Sequence, residues 1–131
     1  MTYVSKCDIV ISYRDTSQWN GKEGLKMDAH IRKVYVPMTE TSFYILLCLR
    51  EPNHGYGIVQ KVKDITDGEI VLTPGTMYGS LSKMEKDGLI KFIREEDKRK
   101  IYKITELGNE VLGIELARIE RLYRNIKEMV G

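Results

Sequence analysis

Residues 73–89 read TPGTMYGSLSKMEKDGL, and the polar positions in this stretch are unusual for a helix surface. Thr76, Tyr78, Gly79, Ser80, Ser82 and Lys83 are small, hydroxylated or basic, where a solvated helix more often mixes Glu with Lys. Hydroxyls and an ammonium group donate to phosphate oxygens and base edges, and small residues let a helix approach a rigid surface closely. Acidic residues, which a polyanion repels, enter only at the far end, as Glu85 and Asp87. A second basic group follows at Lys98, Arg99 and Lys100, suited to phosphate neutralisation. Each feature also has a plainer reading alone: Thr76 and Ser80 suit a helix start, Lys83 a solvated face, and the basic triplet a charged turn.

The elements that carry these residues decide between the readings. Thr73 is a good N-cap and Pro74 a good first helical residue, because its missing N–H is not needed there. Met77, Leu81 and Met84 make an inward stripe at spacings of four and three, and Gly88 is a C-terminal stop. Upstream, Thr39 caps an apolar helix bearing Phe43, Leu46, Leu47 and Leu49 and ending near Arg50. EPNHG is a turn, and residues 56–66 form a second helix with Ile58, Val62 and Ile65 on one face, stopped by Asp67-Gly68. Residues 69–72 are a short β-prone run. Downstream, 89–94 and 101–104 alternate as two strands around the charged segment 95–100, a β-hairpin without a tight-turn dipeptide such as Asn-Gly.

Thr105 caps a last helix running to about residue 130. Leu112, Leu116, Ile119, Leu122, Tyr123 and Ile126 lie along it at coiled-coil-like spacing. So long a helix cannot fold back fully onto a small domain, and a second copy of the chain is the simplest partner for its stripe. The predicted fold is mainly α with a small β-wing: helix, helix, short strand, helix and two-stranded wing. That is the order of a winged helix-turn-helix, whose third helix enters the DNA major groove. In this order DNA contact is favoured over the plain readings.

The chain has 131 residues, 42% hydrophobic and 31% charged, which describes one soluble globular domain with an appendage. A net charge of +2 puts the weight of any nucleic-acid argument on where the charges sit. No apolar run reaches the roughly 18–20 residues that span a bilayer, and no secretory signal opens the chain, so a cytoplasmic location without membrane contact is expected. The two cysteines, Cys7 and Cys48, form no framework, and Cys48 in SFYILLCL suits a small apolar role. No Ser/His/Asp set, metal-spaced cluster or phosphate-cradling glycine loop is present, so neither an enzyme nor a metal or other cofactor is expected. His54 suits a hydrogen-bonded turn residue better than a sensor, and Tyr102 and Tyr123 suit packing better than an effector pocket.

Residues 1–36 differ from the rest. They hold a strand-like run at 7–13, with no companion strand nearby, and then polar sequence without helical period, which predicts a weakly ordered arm. Lys22-Glu23-Gly24 is encoded by AAR GAR GGN, which includes the ribosome-binding sequence AAGGAGG just upstream of Met27. Translation is therefore expected to start at Met27 or Met38, with the preceding residues a translated leader. The expected division is arm 1–36, winged helix 37–105 and dimerisation helix 106–131.

HGYG, TPGTMY, LSKMEKDGLI and YKITELG together closely resemble the PadR family of bacterial transcriptional regulators, over nearly everything outside the arm. With only one helix after YKITELG, the chain is similar to the smaller subgroup of that family. The resemblance implies a homodimer that binds a two-fold symmetric operator in double-stranded DNA, usually represses, and is often released by a small aromatic or hydrophobic effector. It further implies that Thr76, Tyr78 and Lys83 lie at recognition-helix positions, that Tyr56 lies near the DNA backbone, and that Lys98, Arg99 and Lys100 form the basic wing. Gly79 and Ser80 share the recognition face. Two departures matter. Glu95, Glu96 and Asp97 oppose phosphate attraction at the wing. Ile119 stands where multidrug-binding relatives carry a drug-sandwiching tryptophan, and the only tryptophan, Trp19, is in the arm; a narrower aliphatic site, or none, is implied. The rival expectation is a winged-helix protein-interaction module that never touches DNA.

Overall fold

The computed structural model describes residues 29–131; the 7–13 run, Lys22-Glu23-Gly24 and the expected start at Met27 lie outside them. Five helices and one hairpin follow in order: α1 (Ala29–Tyr35), α2 (Glu40–Cys48), α3 (Gly55–Ile65), α4 (Pro74–Lys86), β1 (Ile90–Glu96), β2 (Arg99–Ile104) and α5 (Glu106–Val130). The chain divides into two compact units, one of residues up to Pro37 together with Glu110–Gly131, the other Met38–Asn109.

Met38–Asn109 is a winged helix, an α+β arrangement of three helices and an antiparallel hairpin. Its helices begin where capping side chains satisfy backbone donors that lack intrahelical partners. Thr39 accepts from the Ser42 N–H at 3.1 Å, and Thr73 accepts from the Thr76 N–H at 3.2 Å. α3 and α4 end in left-handed residues, Asp67 (φ 52°) and Gly88 (φ 85°). At Gly88 the Leu89 N–H reaches back to the Met84 carbonyl (2.9 Å) and the Gly88 N–H to the Glu85 carbonyl (3.1 Å), a Schellman closure. Packing runs α2 on α3, α3 on α4, and the hairpin on α3 and α4. Ile45, Leu46, Ile58, Val62 and the Met77/Leu81/Met84 stripe fill the interior. Ile65, expected on the inward face of α3, is instead half exposed at its end.

The hairpin is longer than its alternation suggests. Asp97 and Lys98 both have positive φ (51° and 65°), so they alone make the turn, and Glu96 pairs directly with Arg99. Two consecutive left-handed residues give the turn geometry whose twist matches paired strands, here without the usual Asn-Gly. The ladder runs Ile90↔Ile104 to Phe92↔Tyr102, shifts register at Ile93, and resumes at Arg94↔Ile101. Residues 69–72, expected as a strand, form none: Leu72 anchors in the core while Val71 faces solvent. The free edge of β2 is met by the α2–α3 connection instead. Asn53 exchanges two backbone bonds with Tyr102 (3.0 and 2.8 Å), and the Leu49 carbonyl accepts from the Ile104 N–H at 2.8 Å.

In the other unit, α1 occupies sequence that carries no evident helical period, with Ile31 and Tyr35, four residues apart, both buried. On α5 the fully buried Glu115 carboxylate takes two bonds from Arg118, Nε to Oε2 at 3.0 Å and Nη2 to Oε1 at 2.8 Å. That pairing holds the Arg118 guanidinium above its ordinary pKa range.

Candidate nucleic-acid interface

The buried stripe of α4 turns its polar positions outward. Thr76, Tyr78, Gly79 and Lys83 are exposed and Ser80 is half-buried. The Thr76 hydroxyl accepts from the Thr73 hydroxyl at 3.0 Å and so retains its own proton to donate. Lys83 lies 3.7 Å from Asp87 one turn on, with its side chain half exposed. Gly75 and Gly79 are informative for what does not surround them: a Cβ at either would meet nothing within 4 Å. Both are ordinary helical residues, so the chain's own packing does not require them.

Gly55 is different. A Cβ there would sit 3.3 Å from Tyr78 Cε1, so the first turn of α3 lies directly against the Tyr78 ring. Just before it, His54 is the N-cap of α3, its Nδ1 accepting from the Gly57 N–H at 3.0 Å. The His54 and Tyr56 rings lie nearly parallel, 15° apart with centroids at 6.5 Å, and the Arg99 guanidinium carbon stands 5.1 Å from the Tyr56 centroid.

These groups border one open cleft of about 360 Å³. The start of α3 contributes His54, Gly55 and Tyr56, α4 contributes Tyr78, Leu81 and Ser82, and the hairpin contributes Lys98, Arg99, Lys100 and Tyr102. Of the residues expected to contact DNA, the cleft brings together Tyr56, Tyr78 and the three basic residues. Thr76, Gly79, Ser80 and Lys83 lie on the same helix as Tyr78 but outside the cleft lining. Sequence reasoning missed His54, Ser82 and Tyr102 as members. Ser82 belonged to the hydroxyl-rich face already noted, whereas histidine is a rare N-cap and Tyr102 reads as a strand residue. Tyr102 is buried, edge-on to Phe92 with centroids 6.2 Å apart; burial, with the nearby Glu85 carboxylate, pushes its phenol above the ordinary range.

The acids of the hairpin are partly neutralised within the hairpin. Arg94 bonds the Glu96 carboxylate through Nε, on the same strand, and Glu95 faces Lys100 across the ladder. Among the described residues Arg99 has no ion pair, although its strand partner is Glu96. A model of the PadR-like family of transcriptional regulators matches residues 45–114.

The chain belongs to the PadR-like family.

Among curated relatives, it is 28% identical to the transcriptional regulator YqjI of Escherichia coli K12 over 78 residues, 60% of this chain but 38% of that protein. It therefore spans well under half the length of that relative. It is also 26% identical to protein X of Lysinibacillus sphaericus, an uncharacterised protein, over 68% of this chain and 82% of the other. Among solved structures, a PadR family transcription regulator from Clostridium difficile R20291 superposes with a TM-score of 0.61 at 26% identity, covering 71% of this chain and all of that one. A transcriptional regulator from Clostridium thermocellum gives 0.60 at 25% identity, covering 80% and 99%. Both neighbours are transcriptional regulators.

Of the residues expected in a dimer seam on α5, Leu112 is only 3% exposed and is already enclosed in the single chain. Leu116 is half-buried, and from Ile119 the stripe opens progressively, through Leu122 and Tyr123 to Ile126 at 58% and Met129 at 87% exposed. Among the described residues no helix is long and apolar enough to cross a membrane.

Proposed function

We propose that this PadR-like chain regulates transcription by binding a two-fold symmetric operator as a homodimer. In this reading α4 enters the major groove of each half-site and the tip of the hairpin meets the backbone beside it. The observation that carries it is the pair of unneeded glycines. An interior helical glycine costs roughly 1 kcal/mol relative to alanine, and Gly79 has open space where a Cβ would go. A surface that must approach within van der Waals distance of another body gives a reason for that cost. The cations at the neighbouring hairpin tip suggest that this body is polyanionic.

Thr76, Tyr78, Ser80 and Lys83 then supply donors to phosphates and base edges, with half-site centres about 34–36 Å apart for a dimer spanning one helical turn. The exposed stripe from Ile119 to Ile126 is the proposed dimer seam, as in the small subgroup with a single C-terminal helix. Occupying promoter DNA in this way excludes other proteins, so repression is the expected output, relieved by a small hydrophobic effector held between aliphatic side chains at the seam.

Gly79→Ala tests the reading most directly. It should raise the urea midpoint while weakening binding to a duplex from the gene's own promoter region, and Gly79→Leu should weaken it further. Unchanged affinity in both variants would remove the groove assignment. Lys83→Ala should lower the slope of log affinity against log salt by about one if Lys83 meets a phosphate. Failure of the unmodified chain to bind any duplex at low salt would favour a protein-interaction module instead.

A further inference from the structure

The basic residues at the hairpin tip differ in how they are held. Lys98 sits in the turn itself, and Lys100 faces Glu95 across the ladder. Arg99 faces Glu96, but Arg94 takes that carboxylate from within β1. What stands by the Arg99 guanidinium is the Tyr56 ring, at 5.1 Å, with His54 parallel to Tyr56 on the neighbouring turn. His54 is itself held by its bond from the Gly57 N–H. Three planar groups are thus linked in series from a capped helix end to the hairpin tip.

We infer that Tyr56 is a positioning residue for Arg99: its ring holds the guanidinium over the cleft before DNA arrives. The inference rests on the DNA-binding reading and changes the part Tyr56 plays in it, from a backbone contact to a platform. The physical case is conformational. A free arginine side chain samples many rotamers and loses that freedom on binding. A guanidinium drawn to an aromatic ring has lost part of it beforehand, and the attraction leaves its N–H donors for a phosphate. Tyr56 is 57% exposed, so the attraction is of the weaker, solvated kind, enough to order a side chain without trapping it. The arrangement also accounts for Arg94: by occupying Glu96 it keeps the carboxylate opposite Arg99 from competing with the ring.

The test separates positioning from contact through the ring and the hydroxyl. Tyr56→Phe keeps the platform and should bind a labelled random-sequence duplex as the unmodified chain does. Tyr56→Leu should bind about two- to five-fold more weakly at fixed salt, the range expected for an exposed cation–π pair. That loss should vanish when Arg99 is already alanine. A loss in Tyr56→Phe, or a Tyr56→Leu loss undiminished in the Arg99→Ala background, would show direct DNA contact and overturn the inference. A second readout needs no DNA: the Arg99 δ-methylene protons should be shifted upfield by the ring current, a shift kept in Tyr56→Phe and abolished in Tyr56→Leu. Absence of that shift in the unmodified chain also overturns it. If no duplex binds the unmodified chain, the DNA-binding reading fails, while the ring-current measurement still decides whether the platform exists.

Discussion

The imidazole of His54 accepts through Nδ1, so its proton resides on Nε2, and the first turn of α3 depends on that tautomer. Removing an N-cap acceptor costs about 1 kcal/mol, so His54→Ala should lower the urea midpoint accordingly, whereas His54→Asn, a strong N-cap, should restore most of it. The Asn variant also lacks the ring, which allows capping and stacking to be scored separately on one protein. Lys98 presents the opposite case. A non-glycine residue at φ 65° carries a steric cost of roughly 1–2 kcal/mol, partly offset because glycine loses more chain entropy. Lys98→Gly should therefore stabilise the hairpin by up to about 1 kcal/mol while lowering the salt slope of duplex binding by about one. Equilibrium unfolding and a salt titration of the same variant check both halves. Of these two residues, His54 was legible as a bonded turn residue. The strain at Lys98 was not, because turn length depends on which residues pair across the strands.

Among the elements, α4 was the most legible, since its cap, stripe and stop are each local in sequence. Its end does more than stop a helix. The Gly88 carbonyl accepts from the Thr105 hydroxyl at 2.6 Å, and that same hydroxyl caps α5 by accepting from the Gly108 N–H at 3.1 Å. The Leu89 carbonyl also takes the Thr105 N–H at 2.9 Å, so one threonine joins the end of α4 to the start of α5. Thr105→Ala should cost about 1–2 kcal/mol, the upper part of the N-cap range, because two bonds are lost together. Thr105→Ser should recover most of it, and thermal unfolding of the pair settles the attribution. The run 69–72 was misread because β-propensity reports a fit to a pleated, half-buried surface and not a partner. The partner place on β2 is taken by Asn53, whose turn composition gives no β signal.

For the whole molecule, the open question at the sequence level was what covers the apolar side of α5. The gradient from enclosed Leu112 to exposed Met129 divides one stripe into a part buried within the single chain and an exposed part, which the proposed homodimer would cover. Ile119→Lys with Leu122→Lys should therefore give a monomer in sedimentation, and duplex affinity should fall steeply because the second half-site is lost. A double variant that sediments as a dimer would place the seam elsewhere. Leu112→Lys should instead unfold the chain, since the charge would enter an interior already closed.

The sequence by itself determined the order of α2 to α5 and the hairpin, the caps Thr39 and Thr73, the stop at Gly88, the inward face of α4 and the oddness of its outward face. All of these follow from residues within a few positions of one another, whose spacing matches the helix or strand period. Only the tertiary structure decided that Asn53 meets β2 and that Tyr56 stands beside Arg99, because those contacts join residues far apart in the chain. It also decided that Gly55 lies against the Tyr78 ring, while Gly79 faces empty space. The two glycines read alike in sequence, because a glycine's reason lies in its neighbours.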